Sequence, residues 1–184
     1  IFASTRFGNI LGSKGSVIPI FRRQIATGGP VTLTDPEMTR FIMTLDTAVS
    51  LVMESVFLAK GGEVFVTKMP IARISDLANV MIEQLAPRYG SSAEDIKVKT
   101  IGSKAGEKLY EELMSDEEIR RSFELDEFFV ILPAFRSVYE NIDYSYEKKE
   151  VPVTAAYNSS LEKAMDKDEL GSYLKNNGLL EENK

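Results

Sequence analysis

The stretch RFGNILGSKGSVIP, from Arg6 to Pro19, constrains this chain more than any other. Gly8, Gly12 and Gly15 follow the apolar run IFASTRF and precede a helix-forming segment, SVIPIFRRQIA. Strand, glycine loop and helix in succession is how nucleotide-binding α/β folds bring backbone close to a pyrophosphate. A second strand-like run, VTLT, ends at Asp35, near where such folds place the acid that binds a ribose. The spacing here is G-x-x-x-G-x-x-G, not the G-x-G-x-x-G fingerprint. Taken alone, the loop is equally a surface turn whose glycines supply positive φ, and Asp35-Pro36 is equally a common turn.

The rest of the chain alternates in the same way. Ile1–Phe7 reads as a buried strand, and a chain that opens inside one is expected to be a piece of something longer, because such a strand needs neighbours on both edges. Ser16–Ala26 reads as a helix capped by Ser16 and stopped by Gly28-Gly29-Pro30, and Val31–Thr34 as a short strand. Asp46–Lys60 carries Ala48, Leu51, Val52, Ser55, Val56 and Ala59 at helical spacing and ends at Gly61-Gly62. Glu63–Thr67 is a strand, and Ser75 caps a helix that ends before Pro87. Ile96–Ile101 is a strand, Glu107–Ser122 a charged helix, and Phe128–Leu132 a short apolar strand. The tyrosine-rich stretch 139–150 reads as a solvated arm or an oligomer contact, and Asp166–Asn177 as a terminal helix stopped by Gly178. Residues 1–133 and 134–184 divide the chain by character. The alternation argues for an α/β fold.

Composition removes several chemistries. Histidine and cysteine are both absent, which excludes imidazole acid–base chemistry, thiol catalysis, disulfides and the usual zinc ligand sets. The net charge is −6 and no basic run stands out, so no nucleic-acid partner is expected. No apolar run approaches a membrane span and no signal peptide opens the sequence, so a cytoplasmic location with no membrane contact is expected.

Five segments occur in order: RFGNILGSKGSVIPIFRRQI, GGPVTLTDPEMTRFIMTLDTAVSLV, GGEVFVTKMP, GSKAGEKLYEELMSDEE and DEFFVILP. Together they resemble the C-terminal half of the UDP-N-acetylglucosamine 4,6-dehydratases, extended short-chain dehydrogenase/reductase enzymes of polysaccharide and nonulosonate biosynthesis. The resemblance covers Ile1 to about Pro133 and continues weakly beyond, where YNSS before a short helix has a counterpart. DEFFVILP favours the soluble, 5-inverting branch. The resemblance implies the last strands of a Rossmann-like sheet plus a small α/β substrate-binding lobe, and a homo-oligomeric full-length protein.

By this resemblance the glycine loop is not the N-terminal pyrophosphate loop. It lies late in the sheet, where cofactor and sugar nucleotide meet. Asn9 and Val17 contact substrate, and Ile10, Leu11, Gly12, Ser13 and Lys14 line the nicotinamide end of NADP or NAD. Arg40, in MTRF, is a diphosphate clamp, since a guanidinium fork matches phosphate oxygens; read without the family it is a solvated arginine or one paired with Asp35 or Glu37. Thr34 lies beside the nucleotide, or is a plain strand threonine. Lys104 and Glu107 sit in GSKAGEK, where the family has G-x-R-P-G-E-K. Lysine keeps the charge and loses the bidentate geometry, and the loss of proline loosens the loop. Glu107 accepts a substrate hydroxyl, or is a glutamate favoured by a helix start.

Tyr144 and Lys148 match Y-x-x-x-K, the catalytic pair of the superfamily. The match is rejected on context, because the family's pair lies on a long helix upstream of the strand at Ile1. The true pair, the N-terminal glycine fingerprint and the Asp and Lys of dehydration are absent from this sequence. Three readings follow: the UDP-sugar-binding part of a 4,6-dehydratase, inert alone; a non-catalytic nucleotide-sugar-binding or assembly module; or a different sugar-nucleotide epimerase or reductase of the superfamily.

Overall fold

The computed structural model describes residues 1–135, 141–146 and 151–181. The opening run forms β1 (Ser4–Arg6), and the glycine stretch itself carries a two-residue strand, β2 (Asn9–Ile10). Helix α1 (Val17–Ala26) follows, then β3 (Val31–Leu33), β4 (Thr39–Met43), α2 (Leu45–Leu58), β5 (Val64–Thr67), β6 (Ile71–Arg73) and α3 (Ile74–Leu85). Beyond β7 (Val98–Thr100) come β8 (Glu112–Met114), α4 (Asp116–Ile119), β9 (Ser122–Glu124) and β10 (Phe128–Ile131). The C-terminal part adds β11 (Val151–Pro152), β12 (Tyr157–Asn158) and α5 (Lys167–Asn176).

These strands make an α/β fold with both parallel and antiparallel pairing. The largest sheet has the order β1-β5-β10-β9-β11, with β1 and β5 parallel and the rest antiparallel. A second sheet, β2-β4-β6, and the parallel pair β3-β7 make the lobe that carries the glycine loop. The pair β8-β12 ties the C-terminal part to the segment after β7. One core joins the inner faces of α1, α3 and α5 through Ile18, Phe21, Ile25, Leu77, Met81, Leu170 and Leu174. A second core gathers around Phe41, Val66, Met114 and Tyr157, and a third around Leu51, Phe65, Phe128 and Val130.

The three amphipathic helices at 17–26, 74–85 and 167–176 follow the sequence expectation, with apolar residues at three- and four-residue spacing facing the core. Asp166 and Glu169 close a capping box on α5, and Gly178, at φ 64°, follows its end. Ser75 does not cap α3. The helix begins one residue earlier, and the Ser75 hydroxyl donates to the Pro36 carbonyl at 2.8 Å.

Other expectations are corrected. Ile1 and Phe2 are exposed, because β1 is short and β5 is its one strand partner among the described residues. In α2, Ala48, Leu51 and Ser55 are buried, yet Val52 and Val56 face outward with Leu45, Val49, Met53 and Phe57. A helix apolar all round belongs between two layers, and only one layer is present among the described residues. Glu107–Ser122 is not one helix. Ser115 starts a four-residue helix with a capping box to Glu118; before it β8 pairs with the distant β12, and after it β9 pairs with its neighbour β10 and the distant β11. β4 and β6 fill stretches that carry no sequence expectation and pair with each other.

Tyr144 and Tyr146 correct the solvated-arm reading for residues 141–146. They pack against the third core, the Tyr144 hydroxyl donates to the Gly61 carbonyl at 2.6 Å, and the Tyr146 hydroxyl donates to Glu63 Oε1 at 2.9 Å. Lys148, the other half of the Y-x-x-x-K match, lies outside the described residues.

Candidate functional site

The loop between β2 and α1 forms one wall of a cleft of about 460 Å³. Its lining includes Asn9, Ile10, Leu11, Ser13 and Val17 from that wall, Thr34 from just after β3, and Arg40 from β4. Lys104 and Glu107 reach it from the loop after β7. Nine of the eleven residues singled out in the sequence thus line one cleft. Gly12 and Lys14 are outside its lining: Gly12, at φ 79°, turns the loop beside Leu179, and Lys14 is exposed.

Local folding places the wall. The Leu11 N–H donates to the Met43 carbonyl at 2.9 Å, so β2 continues the β4 edge into the loop. The Ser13 hydroxyl turns back to the Ile10 carbonyl at 2.9 Å. α1 begins with Ser16 in extended conformation, and its first turn faces the cleft through Ser16, Val17 and Ile20. The Ser16 hydroxyl is buried and has no hydrogen-bond partner among the described residues. With the free N–H groups of the first helical turn, it makes this end of the cleft suited to an anion.

Arg40 is held by the segment that follows Glu107. Its Nη1 donates to the Thr39 and Leu109 carbonyls at 2.8 and 3.2 Å, and Nη2 to the Lys108 carbonyl at 2.6 Å. Its Nε lies 3.7 Å from Glu111 Oε1. The guanidinium is therefore fixed in place at the cleft edge, neither solvated nor paired with Asp35 or Glu37.

Glu107 is not at a helix start. Its Oε1 accepts the Thr34 hydroxyl at 3.1 Å and its Oε2 the Lys104 N–H at 3.1 Å, while its own N–H donates to the Lys104 carbonyl at 3.0 Å. One carboxylate thereby closes the Lys104 turn and ties it to β3. The neighbouring Gly102 and Gly106 both have positive φ.

Two contributors lie outside the sequence-derived set. Ser159, almost fully buried, accepts the Glu111 N–H at 2.9 Å, shares a 2.9 Å hydrogen bond with the Thr39 hydroxyl, and so joins both segments that hold Arg40. Glu111 is the second: burial pushes its carboxyl above the ordinary carboxylate range, against the opposing pull of Arg40, the Phe41 N–H and Lys108. The YNSS string marked the first as a family counterpart, whereas nothing local in the sequence separates Glu111 from the adjacent Glu112.

Among the described residues no cluster of three acidic side chains is placed to hold a metal, and no helix is long and apolar enough to cross a membrane.

Residues 1–133 match the family model described as "Polysaccharide biosynthesis protein". The chain is 48% identical over 95% of its length to an uncharacterized membrane protein of Methanocaldococcus jannaschii, covering 49% of that protein. It is 34% identical over 78% of its length to the inverting UDP-N-acetylglucosamine 4,6-dehydratase of Campylobacter jejuni, covering 40% of it. The X-ray structure of Pen from Bacillus thuringiensis superposes with a TM-score of 0.83 at 42% identity, over 97% of this chain and 50% of that one. Rickettsia proteins named UDP-glucose 4-epimerase also match. The chain spans about half the length of the Methanocaldococcus protein and of Pen, and 40% of the Campylobacter enzyme. It belongs to the polysaccharide biosynthesis protein family, an extended short-chain dehydrogenase/reductase family.

Proposed function

We propose that this chain is the nucleotide-sugar-binding portion of a UDP-N-acetylglucosamine 4,6-dehydratase of surface polysaccharide or nonulosonate biosynthesis, and that it is inert by itself. The observation that carries the reading is the single cleft into which β2, α1, β3, β4 and the 102–107 loop bring Asn9, Val17, Thr34, Arg40, Lys104 and Glu107. Arg40 and Lys104 supply positive charge for a diphosphate, and Thr34 and Glu107 supply hydroxyl and carboxylate for a ribose or sugar.

Ile10, Leu11 and Ser13 form an uncharged wall beside Asn9, which fits the nicotinamide end of NADP or NAD. Held there, the nicotinamide would supply a hydride acceptor for oxidation at C4 of the sugar. This chain's part is to hold the sugar nucleotide against it. Proton abstraction at C5 and loss of the C6 hydroxyl need acid–base groups that this sequence does not supply in the family's setting. The outward apolar face of α2 and the edge of β1 left unpaired among the described residues support the same reading, since both suit packing against a further α/β unit. A cytoplasmic, homo-oligomeric full-length enzyme is part of the proposal.

A second reading, a UDP-sugar 4-epimerase, is favoured by the relatives of that name and needs the same cleft. A non-catalytic sugar-nucleotide module is the third.

The test is binding and turnover by the purified chain. It is expected to bind UDP-N-acetylglucosamine and to yield no 4-keto product with NADP or NAD. Arg40→Ala is expected to weaken that binding by about tenfold or more, the effect of removing a charged hydrogen bond of roughly 1.5–3 kcal/mol. Turnover above a blank overturns the inertness, and unchanged affinity in Arg40→Ala removes the clamp.

A further inference from the structure

We propose that Glu111 is the internal counter-charge of Arg40, competing with a bound diphosphate for the guanidinium and so setting how tightly the cleft holds a sugar nucleotide. The proposal rests on the reading of Arg40 as the diphosphate clamp.

The geometry is that of a guanidinium with part of its capacity still open. Of five N–H donors, three go to the carbonyls of Thr39, Lys108 and Leu109. These bonds fix the plane of the group without neutralising it. Among the described residues the one carboxylate paired with it is Glu111, whose Oε1 stands 3.7 Å from Nε, beyond a normal hydrogen bond. The other carboxylate oxygen, Oε2, is buried and has no partner among the described residues. A strong pair would close that distance and satisfy both oxygens. Glu111 is held short of that by its own backbone, since its N–H is fixed on Ser159 Oγ at 2.9 Å. The result is an attraction strong enough to matter and loose enough to be displaced.

Binding of a diphosphate at Arg40 has a consequence for Glu111. The charged groups acting on it are Arg40 from β4 and Lys108 from its own loop, with the Phe41 N–H dipole adding a pull smaller than that of Arg40 in the same direction. A diphosphate takes up the Arg40 charge and adds negative charge nearby. Glu111, already raised by burial, is then raised further and takes up a proton. Affinity therefore falls as pH rises through the range between its free and bound titrations. The chain has no histidine, so no imidazole obscures this uptake.

The probe is UDP-N-acetylglucosamine, whose two phosphates are both esterified and do not themselves titrate near neutral pH. Calorimetry in buffers of different ionisation enthalpy measures proton uptake on binding in a pH series running upward from the ordinary carboxylate range. Wild type is expected to take up protons. Glu111→Gln is expected to bind about fivefold tighter, with the uptake lost, and Arg40→Ala to bind more weakly. No proton uptake by the wild-type chain overturns the inference without any variant. Equal or weaker binding by Glu111→Gln also overturns it; Arg40→Ala still weakening binding then leaves the clamp standing. If Arg40→Ala binds as wild type does, or wild type does not bind, the clamp reading falls and takes this inference with it.

Discussion

A Cβ on Gly8 would sit 2.5 Å from the carbonyl oxygen of Phe41 and 2.7 Å from its Cβ. The chain leaving β1 crosses β4 at this point with no room for a side chain, and the crossing fixes where β2 meets the cleft. Gly8→Ala is expected to cost about 1–3 kcal/mol or more, because backbone and not a flexible side chain must move. Gly15 makes the contrast: nothing lies within 4 Å of its added Cβ, and only its φ of 82° resists substitution. Gly15→Ala is expected to cost about 1–2 kcal/mol. Denaturant unfolding of both variants checks the order, and a Gly8→Ala no worse than Gly15→Ala would refute the close crossing.

Arg6 and Glu118 bind through two hydrogen bonds, at 2.8 and 2.9 Å, and Arg6 also donates to the Leu113 carbonyl. The Arg6 hydrogen bonds hold the Glu118 carboxyl at about 2, from an ordinary 4.5, against the opposing effect of burial. A carboxyl lowered on folding stabilises above its unfolded titration, and that stabilisation is lost as pH falls from about 4.5 toward 2. Glu118→Gln is expected to lower stability at pH 7 and to flatten this acid limb. Stability measured against pH for both proteins decides it; parallel acid limbs would show that the pair does not form.

Much of this fold is legible residue by residue, and the failures share a cause. α1, α3 and α5 carry their own period and stops, so a local reading finds them. The 107–122 segment is rich in helix-forming Glu, yet β8 is made by pairing with β12 more than forty residues later. β4 and β6 are short and each depends on the other. Long-range pairing overrides local propensity, and a single sequence does not display it. The cleft divides in the same way. Glycine spacing and the family resemblance point to Asn9, Arg40 and Lys104, whereas Glu111 and Ser159 matter only through a contact across 48 residues.

Ser159→Ala tests that contact. The change leaves the Glu111 N–H and the Thr39 hydroxyl short of a partner in a buried setting. The expected cost is about 1–3 kcal/mol of stability, with weaker UDP binding through the loss of order around Arg40. Ser159→Thr, which keeps the hydroxyl, is expected to recover part of the binding. Thermal unfolding and calorimetry on the two variants check this, and wild-type behaviour in Ser159→Ala would place Ser159 outside the Arg40 support.

Lys104 is the remaining cation of the proposed diphosphate site, and its setting differs from that of Arg40. The residue is exposed, its backbone is pinned by Glu107, and its side chain lines the cleft. If it acts as a point charge on phosphate, Lys104→Ala weakens UDP binding by about two- to fivefold at low salt and by less at high salt, as expected for a screened, exposed contact. Lys104→Arg restores the residue type of the family pattern, so binding is preserved or tightened, with a smaller gain than in the family because Ala105 replaces the proline that stiffens the loop. Glu107→Gln separates the two parts of the loop: its amide oxygen can accept the Lys104 N–H and its amide N–H donate to the Thr34 hydroxyl oxygen, reversing that bond, while one negative charge beside the diphosphate is removed. Its binding is expected to match or exceed that of wild type if Glu107 mainly positions Lys104, and to fall if its carboxylate grips a ribose or sugar hydroxyl directly. UDP and UDP-N-acetylglucosamine affinities for the three variants at low and high salt decide between these roles, and equal affinities throughout would remove the 102–107 loop from the site.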